Sequence, residues 1–467
     1  MRRYIWLLIL VLLIAKVACV VARGPSPIVM DAEGYWKLGQ MAAGGDWLLK
    51  EAPIAYRTPM YPWLIAATRL GFDRSLFPLV LIQSVLWLAT IGLTALMSVW
   101  WTGDRRNGWL TAALAVPLVS SVTYVSAVLT ETLFVFLVVA HLAATMRLGR
   151  RPSVGAGLVV GITLGGAILT RPIAMLLWVP GAFYLILLWY FLPYERGAPC
   201  RKRGWMSVLL SGLVCVAMIT PWMLRNQSMF GKPFLTEFVG RNVWIVAFQE
   251  GSGTGLDLPQ SESADALRNS VGDQWEILHQ SGAWRDTWTV SNALTTSGVD
   301  DASADQMMKA TALDALNANR QAATYKAVRR CINFWRTCAT VLPDQVADLE
   351  VPPDPSQTLF AGEAIWGVKV APIDIALRFR ASNSLFANTL VMIAVVVGTI
   401  LLIGWRKTRA GALWFGLVMI YFGTVTGLLE IPAYRYRMVV EPLMLLVLVS
   451  AFSPFLFRTA PDVQTHE

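Results

Sequence analysis

Apolar runs long enough to cross a bilayer recur along most of this chain, separated by short loops that hold many of its basic residues. A helix of about 20 apolar residues spans the hydrocarbon core. The first such run covers residues 4–22, behind Met1-Arg2-Arg3. A basic start before an apolar stretch also fits a signal peptide. No small-x-small cleavage pattern follows, however, so an uncleaved first helix with a cytoplasmic N-terminus is expected. Further runs are expected over residues 76–101, 109–124 and 129–146, then one ending near 170, then 173–192 and 205–220. Residues 384–404, 411–429 and 439–457 give the last three. The pattern predicts about ten spans.

The short loops carry Arg105 and Arg106, Arg147 with Arg150 and Arg151, Arg201-Lys202-Arg203, Arg406-Lys407 with Arg409, and Arg458. All fall on one side of the alternation. Lys and Arg concentrate in cytoplasmic loops, so this side is assigned to the cytoplasm together with both termini. The long polar stretch after the seventh run then lies outside. Residues 250–314 are rich in acids such as Asp257, Glu262, Asp265, Asp300, Asp301 and Asp305, and read as a small helical domain or elaborated loop. The glycine run from Gly251 to Gly255 lacks the strand–helix context of a phosphate loop and reads as a turn. Residues 325–341 mix Arg329, Arg330 and Arg336 with Phe334 and Trp335, which suits a helix on the membrane surface. Three regions follow: an N-terminal transmembrane module over 1–230, an external loop domain over 231–383, and a C-terminal transmembrane module over 384–467.

Composition agrees. Only 15% of the residues are charged and 55% are hydrophobic, against about 25% charged in soluble domains. The fold class is therefore an all-α polytopic membrane protein. The net charge of +9 reflects the one-sided basic loops and does not point to nucleic acid. No cysteine or histidine spacing marks a metal site. Cys331 and Cys338, if on one helix, would stand about 10 Å apart, too far for a disulfide, so free thiols are expected. Lys16 lies within the first run, where charge is costly, and either snorkels or faces a cavity. His141 reads as a packed histidine. The chain shows no internal repeat, and seven spans before the loop against three after it argue against an inverted-repeat transporter.

Five arginines break the one-sided rule. Arg57, Arg171, Arg225, Arg435 and Arg437 map to the external ends of spans, beside proline or aromatic residues. Singly, each reads as an arginine snorkelling to headgroups. Together they suit a phosphate, whose oxygens match the guanidinium fork, and a lipid-linked phosphate could enter from the bilayer. Asp31, Glu33, Glu131, Glu430 and Glu441 lie on the same side. Glu430 and Glu441 read equally well as ion-pair partners. Asp31 stands apart, because the first loop joins it to Tyr35, Arg57 and the Pro59/Pro62 turn.

Those residues carry a family resemblance. Asp31-x-x-x-Tyr35, Gly44-Gly45 and Arg57-Thr-Pro-Met-Tyr-Pro62 resemble the first external loop of GT-C glycosyltransferases. The nearest branch is glycosyltransferase family 39, the protein mannosyltransferase-like and lipid A aminoarabinose transferase-like enzymes. Further matches in the same order are Leu129-Thr-Glu-Thr-Leu-Phe134, Leu169-Thr-Arg-Pro172, Thr220-Pro-Trp-Met-Leu-Arg-Asn226 with Phe230-Gly231, and Tyr434-Arg-Tyr-Arg437 with Pro442. The resemblance covers residues 1–245 and 385–457. It implies a GT-C-type bundle with the long external loop between spans seven and eight. It also implies a polyprenyl-phosphate sugar donor, an external active site and a catalytic carboxylate in the first loop. By position that carboxylate is Asp31. Relatives often have adjacent acids there, whereas Ala32 separates Asp31 from Glu33.

The chemistry is consistent with this. Transfer from a sugar phosphate needs a base for the acceptor and positive charge for the departing phosphate. The expected catalytic residues are Asp31 and Glu33, the second orienting the first or holding a divalent cation. The expected substrate-binding residues are Tyr35, Arg57, Tyr61, Glu131, Arg171, Arg225, Asn226, Arg435 and Arg437. The partners implied are the polyprenyl-phosphate sugar, a lipid, glycan or protein acceptor, and membrane lipids, with no nucleic acid. The expected location is a bacterial inner membrane. A transporter or flippase of lipid-linked saccharides and a polysaccharide ligase or polymerase are the alternatives.

Overall fold

Backbone polar groups in hydrocarbon have no water to bond, so spanning segments close their hydrogen bonds internally as helices. The structure is a computed structural model that describes residues 10–11, 14, 25–26, 28–69, 75–118, 122–191, 201–249, 255–336 and 372–456. Among these the regular elements are helices, with no strand. The order begins α1 (Asp31–Ala43), α2 (Met60–Arg69), α3 (Phe77–Thr102), α4 (Arg105–Leu118), α5 (Val122–Ser126), α6 (Glu131–Arg150) and α7 (Val154–Thr170). It continues with α8 (Trp178–Ile186) and α9 (Arg201–Phe230).

Among the described residues, five segments are long and apolar enough to cross a membrane: α3, α6, Pro172–Phe191, α9 and α17 (Arg409–Leu429). Pro172–Phe191 contains α8 between a 3-10 turn and a π turn. The first expected span falls largely outside the described residues. Of the span expected over 109–124, residues 109–118 lie in α4 and 122–124 in the short α5, while 119–121 fall outside the described residues. The seventh was expected to stop before Pro221, but α9 continues through it to Phe230. A proline inside a helix costs about 3 kcal/mol. The turn beyond it is fastened from outside, with the Trp222 indole donating to the Leu235 carbonyl at 3.0 Å.

Helix α7 meets α9 along Gly157, Gly161 and Gly165. A Cβ on Gly157 would stand 2.5 Å from the Ser207 carbonyl oxygen, and one on Gly161 2.5 Å from that of Ser211. Association in lipid relies on such close packing, because the hydrocarbon supplies no hydrophobic drive. Gly161→Ala is expected to destabilise by about 1–3 kcal/mol through overpacking, read as a lower thermal midpoint in detergent. Gly155→Ala, where nothing lies within 4 Å, should not lower it. Equal losses in both variants would refute the seam.

The polar region holds α10 (Val239–Phe248), α11 (Glu262–Val271), α12 (Gln274–Gln280), α13 (Thr287–Thr296) and α14 (Asp301–Ala318). Ser261, Asp286 and Asp300 cap α11, α13 and α14 with their side chains. These helices enclose a separate core around Trp244, Phe248, Leu267, Val290, Leu294 and Met308.

Next comes α15 (Arg320–Arg336). It was read as a surface-lying helix, and two of its basic residues turn inward, Arg330 to α17 and Lys326 to α10. Arg330 Nε donates to the Gly427 carbonyl at 2.7 Å, and Lys326 Nζ to that of Ala247 at 3.1 Å. The glycines of α17 make room, since a Cβ on Gly427 would stand 2.5 Å from Cys331 Sγ. Cys331 is a free thiol; Cys338 lies outside the described residues. The chain closes with α16 (Pro372–Gly404), α17, α18 (Tyr434–Arg437) and α19 (Glu441–Leu456). The main core joins α6, α7, α17 and α19 through Phe134, Leu142, Ala167, Trp414, Phe422 and Leu443.

Candidate active site

Asp31 opens α1, in the first turn where the helix dipole favours a carboxylate. The residue before it, Met30, has φ 53° and ψ −122°, a sparsely populated positive-φ conformation that costs a non-glycine residue about 1–3 kcal/mol. The chain then turns back through residues 44–59 and returns Arg57 over α1. Arg57 Nη2 stands 3.3 Å from Asp31 Oδ1, and its Nη1 reaches the Asp31 carbonyl at 3.4 Å. Its guanidinium lies 4.1 Å from the centre of the Tyr35 ring. Arg435, on α18, approaches from the other side: Nη1 is 3.0 Å from Asp31 Oδ2, and Nη2 donates to the Tyr436 hydroxyl at 2.8 Å. Each oxygen of Asp31 therefore holds one arginine.

Arg171 joins them from the end of α7. It pairs with Glu131 at 3.1 Å and lies 5.5 Å from the centre of the Tyr436 ring. Glu131 is buried at the start of α6. Thr58 Oγ1 donates to the Thr170 carbonyl at 3.1 Å, tying the Arg57 loop to the segment that carries Arg171. Glu430, directly after α17, faces the same charges. Burial pushes its carboxyl up despite Arg435 and Arg171. Burial acts the same way on Asp31, but Arg435 and Arg57 outweigh it and hold that carboxyl below its usual value.

Among the expected site residues, Asp31, Tyr35, Arg57, Glu131, Arg171 and Arg435 thus gather in one place. Five others are placed differently. Arg225 is fully buried and donates to the carbonyls of Leu48, Leu49, Ala52 and Ile54 at 2.6–3.1 Å, and to Asn226 Oδ1 at 2.7 Å. Asn226 in turn donates to the carbonyls of Phe234 and Leu235. With its donors bound to the first loop, Arg225 shapes that loop and is not poised for phosphate. Arg437 pairs with Glu441 at 3.1 Å and donates to the Trp335 carbonyl at 3.2 Å. Residues two apart on a helix do not share a face, so Arg435 and Arg437 diverge. Tyr61 is also buried behind the site, its ring edge against Tyr35 and its hydroxyl donating to Gln83 Oε1 at 3.0 Å. Glu33 is exposed two residues beyond Asp31, on another face of α1.

No family model and no curated protein matches the chain. Two solved structures align with it: ArnT from Cupriavidus metallidurans bound to undecaprenyl phosphate, and the same protein in the apo state. The first is 14% identical over 95% of this chain and 77% of its own, the second 15% identical over 95% and 78%, each with a TM-score of 0.37. At that TM-score the likeness establishes neither fold nor activity for this chain.

The donor set bears on a cation. Among the described residues no three His, Cys, Asp or Glu side chains gather as a metal site. Both oxygens of Asp31 face guanidinium groups, so Asp31 as it stands offers no free oxygen to a divalent ion, which was one of two roles open to Glu33.

Two supporting residues escaped the sequence reading. Gln83, fully buried on α3, donates to the carbonyls of Val125 and Ala127 at 2.8 and 2.9 Å while accepting from Tyr61. Its only sequence signal is a polar residue inside an apolar run. Gly34 leaves the space that Arg57 fills, for a Cβ there would stand 2.8 Å from Arg57 Nη2. Gly34→Ala is expected to displace the guanidinium with little change in thermal midpoint and, if the site is catalytic as proposed below, to lower kcat/KM on the order of 100-fold. Full activity in Gly34→Ala would show that the position of Arg57 is immaterial.

Proposed function

We propose that the chain is a glycosyltransferase that moves a sugar from a polyprenyl-phosphate donor to an acceptor on the external face of the membrane. The observation that carries this is the carboxylate of Asp31 held between Arg57 and Arg435, with Arg171 beside them at the end of apolar helices. Arg57 adds a second sign of an anion site. Its Nε is buried without an acceptor among the described residues, a cost of about 1–3 kcal/mol that an incoming phosphate oxygen would relieve.

The proposed step needs few groups. Asp31 takes the proton of the acceptor hydroxyl or amine as that atom attacks the anomeric carbon. The bond from that carbon to the phosphate oxygen breaks, and its electron pair leaves with the phosphate. Arg57, Arg171 and Arg435 stabilise the charge that develops there. The phosphate departs as an anion, so no general acid is required, and direct displacement inverts the anomeric centre. The division into modules over 1–230, 231–383 and 384–467 belongs to the same proposal, with residues 1–230 and 384–467 supplying the charged cluster.

The test is mass spectrometry of glycolipids, glycans and glycoproteins in a strain lacking the protein. One sugar should be missing from one class of molecule, restored by the wild-type chain and not by Asp31→Asn. Restoration by Asp31→Asn would remove Asp31 from the mechanism; an unchanged profile in the deletion strain would remove glycosyl transfer.

A further inference from the structure

The loop that presents Arg57 is held from both sides. From α9, Arg225 takes four carbonyls between Leu48 and Ile54. From the polar region, the peptide groups of Ala55 are gripped twice. The Ala55 amide donates to Asp301 Oδ2 at 2.6 Å, while its carbonyl accepts from the Glu237 amide at 3.0 Å and from Thr236 Oγ1 at 3.2 Å. The next residue is packed as closely. The Tyr56 ring lies 5.3 Å from Trp288 and 5.8 Å from Phe238, with the Arg241 guanidinium 5.2 Å from its centre. The Arg57 guanidinium lies 5.5 Å from the same ring.

Asp301 is itself fixed. Its Oδ1 accepts from Arg241 Nη2 at 2.5 Å. Arg241, fully buried, also bonds Ser291 Oγ at 2.8 Å and Asp305 Oδ1 at 3.3 Å, and Asp305 accepts the amides of Gly240 and Arg241. Gly240 allows this approach, since a Cβ there would collide with the Asp305 carbonyl. Buried ion pairs of this kind add little stability over an apolar core. What this one supplies is a rigid acceptor aimed at one backbone amide, two residues before Arg57.

We propose that Asp301 is a positioning residue: with Arg241 behind it, it anchors the Ala55 peptide and so sets where Arg57 meets Asp31 and an incoming phosphate. The consequence for substrate rests on the transferase reading above; the mechanical coupling does not. It gives the helical layer around α13 and α14 a direct role in the charged cluster, although that layer contributes no side chain to it.

Two measurements on the full-length protein in detergent test this. By hydrogen exchange, Asp301→Ala should speed exchange in peptides covering residues 52–58 while those from α11 and α13 stay protected. By titration with a polyprenyl phosphate, Asp301→Ala should bind more weakly on the order of tenfold, yet add nothing further in an Arg57→Ala background, since residues acting through one another are non-additive. Asp301→Asn keeps one acceptor oxygen and should shift both readouts the same way by less, which covers a failure of Asp301→Ala to fold. Asp265→Asn, which breaks an exposed ion pair in the same layer, should change neither. Unchanged exchange over 52–58, or losses that multiply independently with Arg57→Ala, would overturn the proposal. If the wild-type chain binds no polyprenyl phosphate, the transferase reading fails while the exchange result still decides the coupling.

Discussion

Asp31→Asn should abolish sugar transfer and at the same time tighten the binding of polyprenyl phosphate. Loss of a general base costs roughly a hundred- to ten-thousand-fold in rate. The gain in binding has a separate origin. With no donor bound, Asp31 faces both Arg57 and Arg435, at 3.3 and 3.0 Å, so it competes with phosphate for them. Asp31 is about two-fifths exposed, and each such pair is worth up to about 1 kcal/mol in solvent-screened settings. Removing both pairs should therefore improve affinity by up to about 30-fold. On the proposed mechanism, arrival of the donor would have the complementary effect on the wild type: with the arginines turned to the phosphate, the carboxylate would lose the cations that suppress its basicity. The measurement is a titration of purified protein with polyprenyl phosphate alongside a transfer assay. Binding that is unchanged or weaker in Asp31→Asn would show that carboxylate and phosphate do not share these arginines.

Arg435→Ala should lower kcat by about 100- to 1,000-fold, the usual loss when one group stabilising transition-state charge is removed. It should also move the acid limb of the pH–rate profile upward. The sign follows from the balance at Asp31. Burial raises its pKa, and Arg435 and Arg57 together bring it below the usual carboxylate value. With one cation gone, burial is less opposed and the pKa rises. The base must be ionised to act, so activity is lost at a higher pH as the solution is acidified. Stability follows the same sign. A depressed carboxylate stabilises the fold above its unfolded pKa, and that contribution fades as pH falls through its folded value; in Arg435→Ala it should be smaller. Arg437→Ala is the informative comparison, since Arg437 holds Glu441 and the Trp335 carbonyl. It should lower the thermal midpoint and leave the acid limb in place. An acid limb unmoved by Arg435→Ala would separate Asp31 from the titration.

The helices were legible because hydrocarbon permits few other backbone arrangements, and an apolar run of sufficient length shows in one dimension. The first-loop acid and three of the five exceptional arginines were legible for a similar reason: charge at the edge of an apolar run is costly enough to stand out. What those arginines touch was not encoded locally. Arg225 and Arg171 look alike in sequence, each at the end of an apolar run. Only the return path of residues 44–59 brings four carbonyls to Arg225, while Arg171 meets Glu131. Asp301 looked like one more acid in an acidic stretch, and its hold on Ala55 spans 246 residues of chain. By itself the sequence determined that the apolar runs among the described residues are helical and which charges are costly, since both follow from the solvent each residue must occupy. The tertiary structure alone decided which donors bind backbone and which gather around Asp31, because hydrogen bonds saturate at short range and partners so distant in sequence meet only once the chain has folded.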